Sequence, residues 1–131
     1  MFAPFPSRTI SSPYGWRVHP ERGIRQHHPA IDYRVPGGVA VHAIASGAVS
    51  AVRFDRVLGN VVEIDHGAGY VSRYAHLRDP SPLEVGDHVT ADSEIGHVGK
   101  TGSGARGDHL HLELWHHGRH IDPAHQLTER P

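Results

Sequence analysis

No stretch of this sequence sustains a helical period. Glycine and proline, 15 and 10 residues respectively, divide it into short runs rich in β-branched side chains. A chain punctuated in this way folds as many short strands joined by turns. Candidate strands fall at 30–33, 39–43, 47–54, 60–66, 69–76, 88–90, 94–98, 109–116 and 119–121. The expected fold is all-β: an antiparallel β-sheet sandwich or hybrid barrel with glycine-rich groove loops and little helix. The clearest hairpin spans 60–76, where Val61-Val62-Glu63-Ile64 and Tyr70-Val71-Ser72-Arg73-Tyr74 flank the turn His66-Gly67-Ala68-Gly69. The polar loop 101–108 (TGSGARGD) leads straight into the run His109-Leu110-His111 and is placed to shape a groove.

The 131 residues suit one domain able to bury its own core. Thirteen basic side chains nearly cancel 14 acidic ones, so the charge balance offers no footprint for nucleic acid. The opening segment lacks a basic region followed by an apolar run, and no later stretch reaches the length of a membrane span. Membrane insertion is therefore not expected. Cysteine is absent, which removes disulfides, thiolate nucleophiles and Cys-based zinc sites together. Any metal must be held by histidine and carboxylate, and histidine is abundant, with 14 residues.

Alternate residues of a strand share a face. In 109–114 this sets His109, His111 and Glu113 opposite Leu110, Leu112 and Leu114. The leucines belong to a core, and two imidazoles are aimed one way, but alternation does not say which of them would bind a metal. The same rule applied to His28-Pro29-Ala30-Ile31-Asp32 puts His28 and Asp32 on one face and His27 on the other. A catalytic zinc site takes three ligands from His and Asp/Glu and leaves a fourth position for water. His28, Asp32 and one histidine of the 109/111 pair supply that number.

These motifs, HPAID and HLHLEL, resemble the H-x-G-x-D and H-x-H motifs of the lysostaphin-like (LytM-type) zinc endopeptidases that cut peptidoglycan peptides. Ser12-Pro13-Tyr14-Gly15-Trp16-Arg17, Gly59-Asn60-Val61-Val62, Tyr74-Ala75-His76-Leu77 and Thr101-Gly102-Ser103 follow in that family's order, and the resemblance covers residues 9–124. It implies one Zn2+ per chain held by His28, Asp32 and His111, with His76 and His109 as catalytic histidines. It further implies a peptidoglycan peptide as substrate and a single catalytic domain over 1–131 with its core at about 9–124, acting as a monomer at the cell wall, extracellular or periplasmic. The lack of an export signal fits a bacteriolytic phage endolysin or an excised domain of a secreted enzyme. Ala30 and Asp108 depart from the family pattern without removing a ligand.

Metal-binding histidines donate their second ring N–H to an acceptor, and Glu113 is a candidate acceptor. His19, His27, His42, His66, His88, His97, His116, His117, His120 and His125 read as surface or turn residues, the last four as a C-terminal cluster able to scavenge metal. Trp16 and Trp115 read as core or groove-wall residues. Two other classes compete. One is a catalytically silent wall-binding or regulatory module of the same fold, against which all five key positions are intact. The other is a lipoyl- or biotinyl-type carrier, which the position of the single lysine, Lys100, disfavours.

Overall fold

The computed structural model describes residues 1–18 and 23–131; His19 lies outside them. Twelve strands run β1 (Ile10–Ser12), β2 (Gly15–Val18), β3 (Arg25–His28), β4 (Ile31–Tyr33), β5 (Ala40–His42), β6 (Gly47–Asp55), β7 (Gly59–Gly67), β8 (Tyr70–Leu77), β9 (His88–Val89), β10 (Glu94–His97), β11 (Leu110–His116) and β12 (Arg119–Ile121). Two single 3-10 turns, Ser7–Thr9 and Pro123–His125, are the only helical segments among the described residues. Every strand pair is antiparallel. The nearly all-β expectation holds, and the main sheet, ordered β1-β4-β11-β8-β7-β6-β9 with β12 beside β11, has two free ends and closes into no barrel.

The register explains which side becomes core. Ile31, Leu112, Tyr74, Val62 and Val52 stand opposite one another across β4, β11, β8, β7 and β6. The first four are at most 2% exposed. This row, with Leu110 and Leu114, is covered by Val41, Ile44, Ile95 and Val98, in and around the small β5–β10 sheet. One residue along, on the other face of the sheet, lies a charged row. Glu113 is opposite Arg73 and Arg73 opposite Glu63. Their side chains pair at 2.9 Å and 3.2 Å, and Arg53 closes on Glu63 at 3.1 Å. Cross-strand pairing of opposite charges is the favourable arrangement on a sheet face.

β2 and β3 form a separate hairpin. Its composition, GWRV against RQHH, lacks the alternation that identified the other strands. Its outer face is covered only in part, which leaves Trp16 63% exposed and neither core nor groove wall. Tyr14 and Trp16 pack edge-on against His27, and His120 sits among Tyr14, His27 and Trp115. Of the C-terminal histidines, His116 and His117 lie together, ring centroids 4.1 Å apart, with His116 stacked on Tyr70 at 3.9 Å; His120 joins the aromatic group instead, and His125 points to solvent beside Asp122. His66 is no plain turn residue. Its ring lies 2.8 Å from the Ser46 carbonyl and 2.7 Å from Ser72 Oγ, which meets Tyr74 Oη at 2.8 Å.

Candidate metal centre and active-site groove

Asp32 and His111 are direct cross-strand partners on β4 and β11. Their side chains leave the sheet on the face opposite the leucines, with His111 Nδ1 3.1 Å from Asp32 Oδ1. His28 arrives from the other sheet. The chain does not run extended from 28 to 32: β3 ends at His28, Pro29 and Ala30 turn the backbone, and β4 begins at Ile31. His28 Nε2 lies 3.2 Å from Asp32 Oδ2, so the three residues meet although the reason is a corner between two sheets and not one strand's parity. His27 points into the aromatic group on the hairpin's outer face. One ligand atom from each of His28, Asp32 and His111 lies within 4.8 Å of the others, a set that could hold a metal ion. Two imidazoles and a carboxylate suit zinc.

Each imidazole is held by its second nitrogen. His28 Nδ1 donates to the Pro13 carbonyl at 3.0 Å, leaving Nε2 facing Asp32. His111 Nε2 donates to Glu113 Oε2 at 2.8 Å, leaving Nδ1 facing Asp32. Glu113 is fixed in turn, accepting at Oε1 from Trp115 Nε1 at 2.7 Å and from Arg73 Nη1 at 2.9 Å. Acceptors of this kind set tautomer and ring orientation at metal sites. Without metal, burial pushes the Asp32 carboxyl up, but hydrogen bonding and charge from the His111 and His28 imidazolium forms more than reverse this and hold it well below the usual carboxylate range. Burial alone pulls His111 down; hydrogen bonds to Asp32 and Glu113 raise the metal-free imidazole to about 9. Burial likewise pushes Glu113 up, and His111, Trp115 and Arg73 bring it below its ordinary value.

His76 and His109 flank this centre. Alternation from Tyr74 would send His76 into the core, yet its ring lies 4.7 Å from His109 and 5.6 Å from His111. A bulge produces the change of face. Asn60 pairs with Leu77 and Val62 with Tyr74, so β8 carries one more residue than β7 there, and His76 takes φ +60°, a conformation that costs a side-chain-bearing residue about 1–3 kcal/mol. His76 Nδ1 donates to the Thr101 carbonyl at 2.8 Å, and His109 Nδ1 to the Gly107 carbonyl at 2.9 Å. Both Nε2 atoms are thereby left without the ring proton. His109 Nε2 is 3.9 Å from Asp32 Oδ1. Burial, helped by the charges of His109 and His111, holds His76 below its ordinary value despite the Thr101 acceptor.

Thr101 anchors the glycine-rich loop as well as His76. Its hydroxyl donates to the Leu77 carbonyl and accepts from Asn60 N. Gly59, at φ +72°, permits this approach: a Cβ there would sit 2.3 Å from Thr101 Oγ1. The loop and the inner face of the β2–β3 hairpin form the walls of a groove of about 790 Å³ beside Asp32 and His109. The acceptors Pro13, Thr101 and Gly107 had no sequence signature as such, because they act through backbone carbonyls. Arg73 could have been found only with the cross-strand register in hand.

Residues 26–123 match the model of peptidase family M23. This chain is a member of peptidase family M23. The family is the one its ordered motifs resemble. The M23 chain is 38% identical over 115 residues to the DD-carboxypeptidase/endopeptidase Mpg of Neisseria meningitidis, an alignment covering 88% of this chain and 26% of Mpg. It is 33% identical over 122 residues to the peptidoglycan DD-endopeptidase ShyC of Vibrio cholerae, covering 92% and 28%. Among solved structures, a zinc-containing peptidase from Vibrio cholerae matches with TM-score 0.77 and 31% identity, covering 93% of this chain and 37% of that one. The M23 chain thus spans about a quarter of the length of these curated relatives.

Proposed function

We propose that this M23 chain is a zinc-dependent endopeptidase domain, with its catalytic unit over 1–131, that hydrolyses peptide crosslinks of bacterial peptidoglycan at the cell wall. The observation that carries the reading is the convergence of five side chains. His28, Asp32 and His111 meet at one point, and the rings of His76 and His109 pack beside it with their Nδ1 atoms committed to backbone carbonyls. The names of Mpg and ShyC support a bond between two D-configured residues as the target.

His28, Asp32 and His111 would hold the metal. Zinc, when bound there, supplies positive charge that acidifies a water molecule and polarises the scissile carbonyl. The chain's own residues supply the proton traffic. His76 and His109 present Nε2 atoms beside the metal ligands, in position for one to accept the proton of the attacking water and the other to support the carbonyl oxygen as it gains charge. A proton returned to the leaving amine completes hydrolysis. Glu113 and the Pro13 carbonyl orient the two ligand imidazoles throughout.

The test is release of new amino groups from purified peptidoglycan, together with metal content. Wild type should bind one zinc per chain and cleave, and chelation should abolish cleavage. His109→Ala should keep its zinc and lose about 10²–10⁴-fold in rate, the usual contribution of a positioned acid or base. Full activity in zinc-loaded His109→Ala would remove His109 from the mechanism. Binding of cell wall by the zinc-loaded wild type without any cleavage would reject the enzymatic reading.

A further inference from the structure

The groove beside the metal centre carries guanidinium groups that the proposed hydrolysis does not use. The guanidinium groups of Arg17 and Arg34 line it, together with the carboxylates of Asp32 and Asp108. Asp32 is already engaged by His28 and His111. Asp108 lies over Gly37 on the loop side, where a Cβ on that glycine would sit 2.9 Å from its Oδ1. The hairpin side of the groove carries Arg17. Arg17 is pinned there by donating from Nη1 to Ser12 Oγ, and its buried Nε has no hydrogen-bond partner among the described residues. A half-buried cation satisfied in this incomplete way leaves positive potential in the groove.

Arg34 is more accessible than Arg17. It follows the last residue of β4 and, by the alternation that buries Ile31 and Tyr33, faces the same way as Asp32. Its side chain is exposed, lines the groove and makes no hydrogen bond or ion pair within the described residues. A planar guanidinium free to approach in the plane of its ligand matches a carboxylate bidentately. The chemistry of the scissile amide limits which α-carboxylate it would meet. The residue that supplies the carbonyl of a scissile amide has consumed its carboxyl group in that bond. The residue that supplies the nitrogen can still carry one, on the carbon bearing the nitrogen.

We infer that Arg34, backed by the fixed charge of Arg17, reads a free α-carboxylate on the leaving-amine side of the scissile bond. This makes the groove selective for substrates that are anionic at that position. The inference rests on the proposed peptidase function and adds a substrate class to it. Arg34 is a substrate-reading residue, so its effect belongs in KM more than in kcat.

Two synthetic peptides serve as probes, identical across a D,D amide except that the leaving residue carries its α-carboxylate free or as the carboxamide. Zinc-loaded wild type should favour the free carboxylate by about fivefold in kcat/KM, the scale of one exposed charge-assisted contact. The preference should shrink in high salt. Arg34→Gln should bring the ratio to about one, and Arg34→Lys, which keeps the charge and loses the fork, should fall between. Equal zinc content and thermal midpoint in the three proteins would exclude misfolding as the cause. A wild-type ratio of one, or a preference that survives in Arg34→Gln, overturns the inference while leaving peptidase function intact. Failure of wild type to cleave either peptide overturns the peptidase reading, and the substrate class falls with it.

Discussion

The proposed ligand His111 is held by a carboxylate that is itself clamped from two sides, by Trp115 and Arg73. Replacing Glu113 by Gln keeps the volume but weakens the acceptor for His111 Nε2. Zinc affinity should fall by about 10–100-fold, the usual loss when such a partner is removed, and competition with a chromogenic chelator would measure it. Leu112, between His111 and Glu113 in sequence, points the other way and is fully buried. Leu112→Ala should cost about 2–5 kcal/mol in urea unfolding, and a loss below 1 kcal/mol would contradict its place in the core. At this scale the sequence was informative for the five side chains that converge at the centre. Histidine and carboxylate spacing singled out His28, Asp32 and the 109/111 pair, and the ordered motifs drew His76 into the site. Strand alternation could not place His76, because a bulge and a positive φ break alternation at that residue. The carbonyl acceptors stayed hidden because every residue has one.

Among the elements, the nine strands from Ile31 onward lay within or close to runs visible from β-branched residues and turn signals. β1, β2 and β3 were not visible, since their residues are largely serine, arginine, histidine and glutamine and their burial comes from neighbours and not from a pattern of their own. The β2–β3 hairpin contributes His28 while β4 and β11 contribute Asp32 and His111. A metal bound by all three would tie the hairpin to the main sheet. Chelation should then accelerate hydrogen exchange in β2 and β3 and leave β7 and β8 little changed; uniform acceleration would contradict the separation. His66 links β7 to β8 and to the residue just before β6 in another way. Burial holds its pKa below the ordinary value despite the Ser46 acceptor and the charge of Asp65. Between that depressed value and about 6.5 the unfolded chain binds the extra proton. The contribution of His66 is therefore complete above about pH 6.5 and is lost as pH falls through the folded value. Urea midpoints should decline over that interval in wild type and decline less in His66→Gln.

Over the whole molecule, the ends of the chain close the fold. Phe2 pairs with Thr128, and Arg130 donates to the carbonyls of Ala3, Ala43 and Ala91 at 2.8–2.9 Å. No sequence motif marked this clamp, whose donor Arg130 lies outside the stretch that carried the family resemblance. Arg130→Met should destabilise the protein by about 2–4 kcal/mol, because it strips charged donors from three carbonyls; an unchanged urea midpoint would show the clamp to be dispensable. Bound metal should add stability by mass action, about 4 kcal/mol when free metal exceeds its Kd by about a thousandfold, visible as a chelator-dependent drop in thermal midpoint. The pairing of Asp32 with His111 also bears on quality control. A chain assembled with β4 and β11 one residue out of step would turn one of the two toward the leucine layer. Under the proposed ligand set such a copy could not load zinc, so correct assembly and the licence to cut would be granted by the same strand pairing, and a misassembled copy would stay inert.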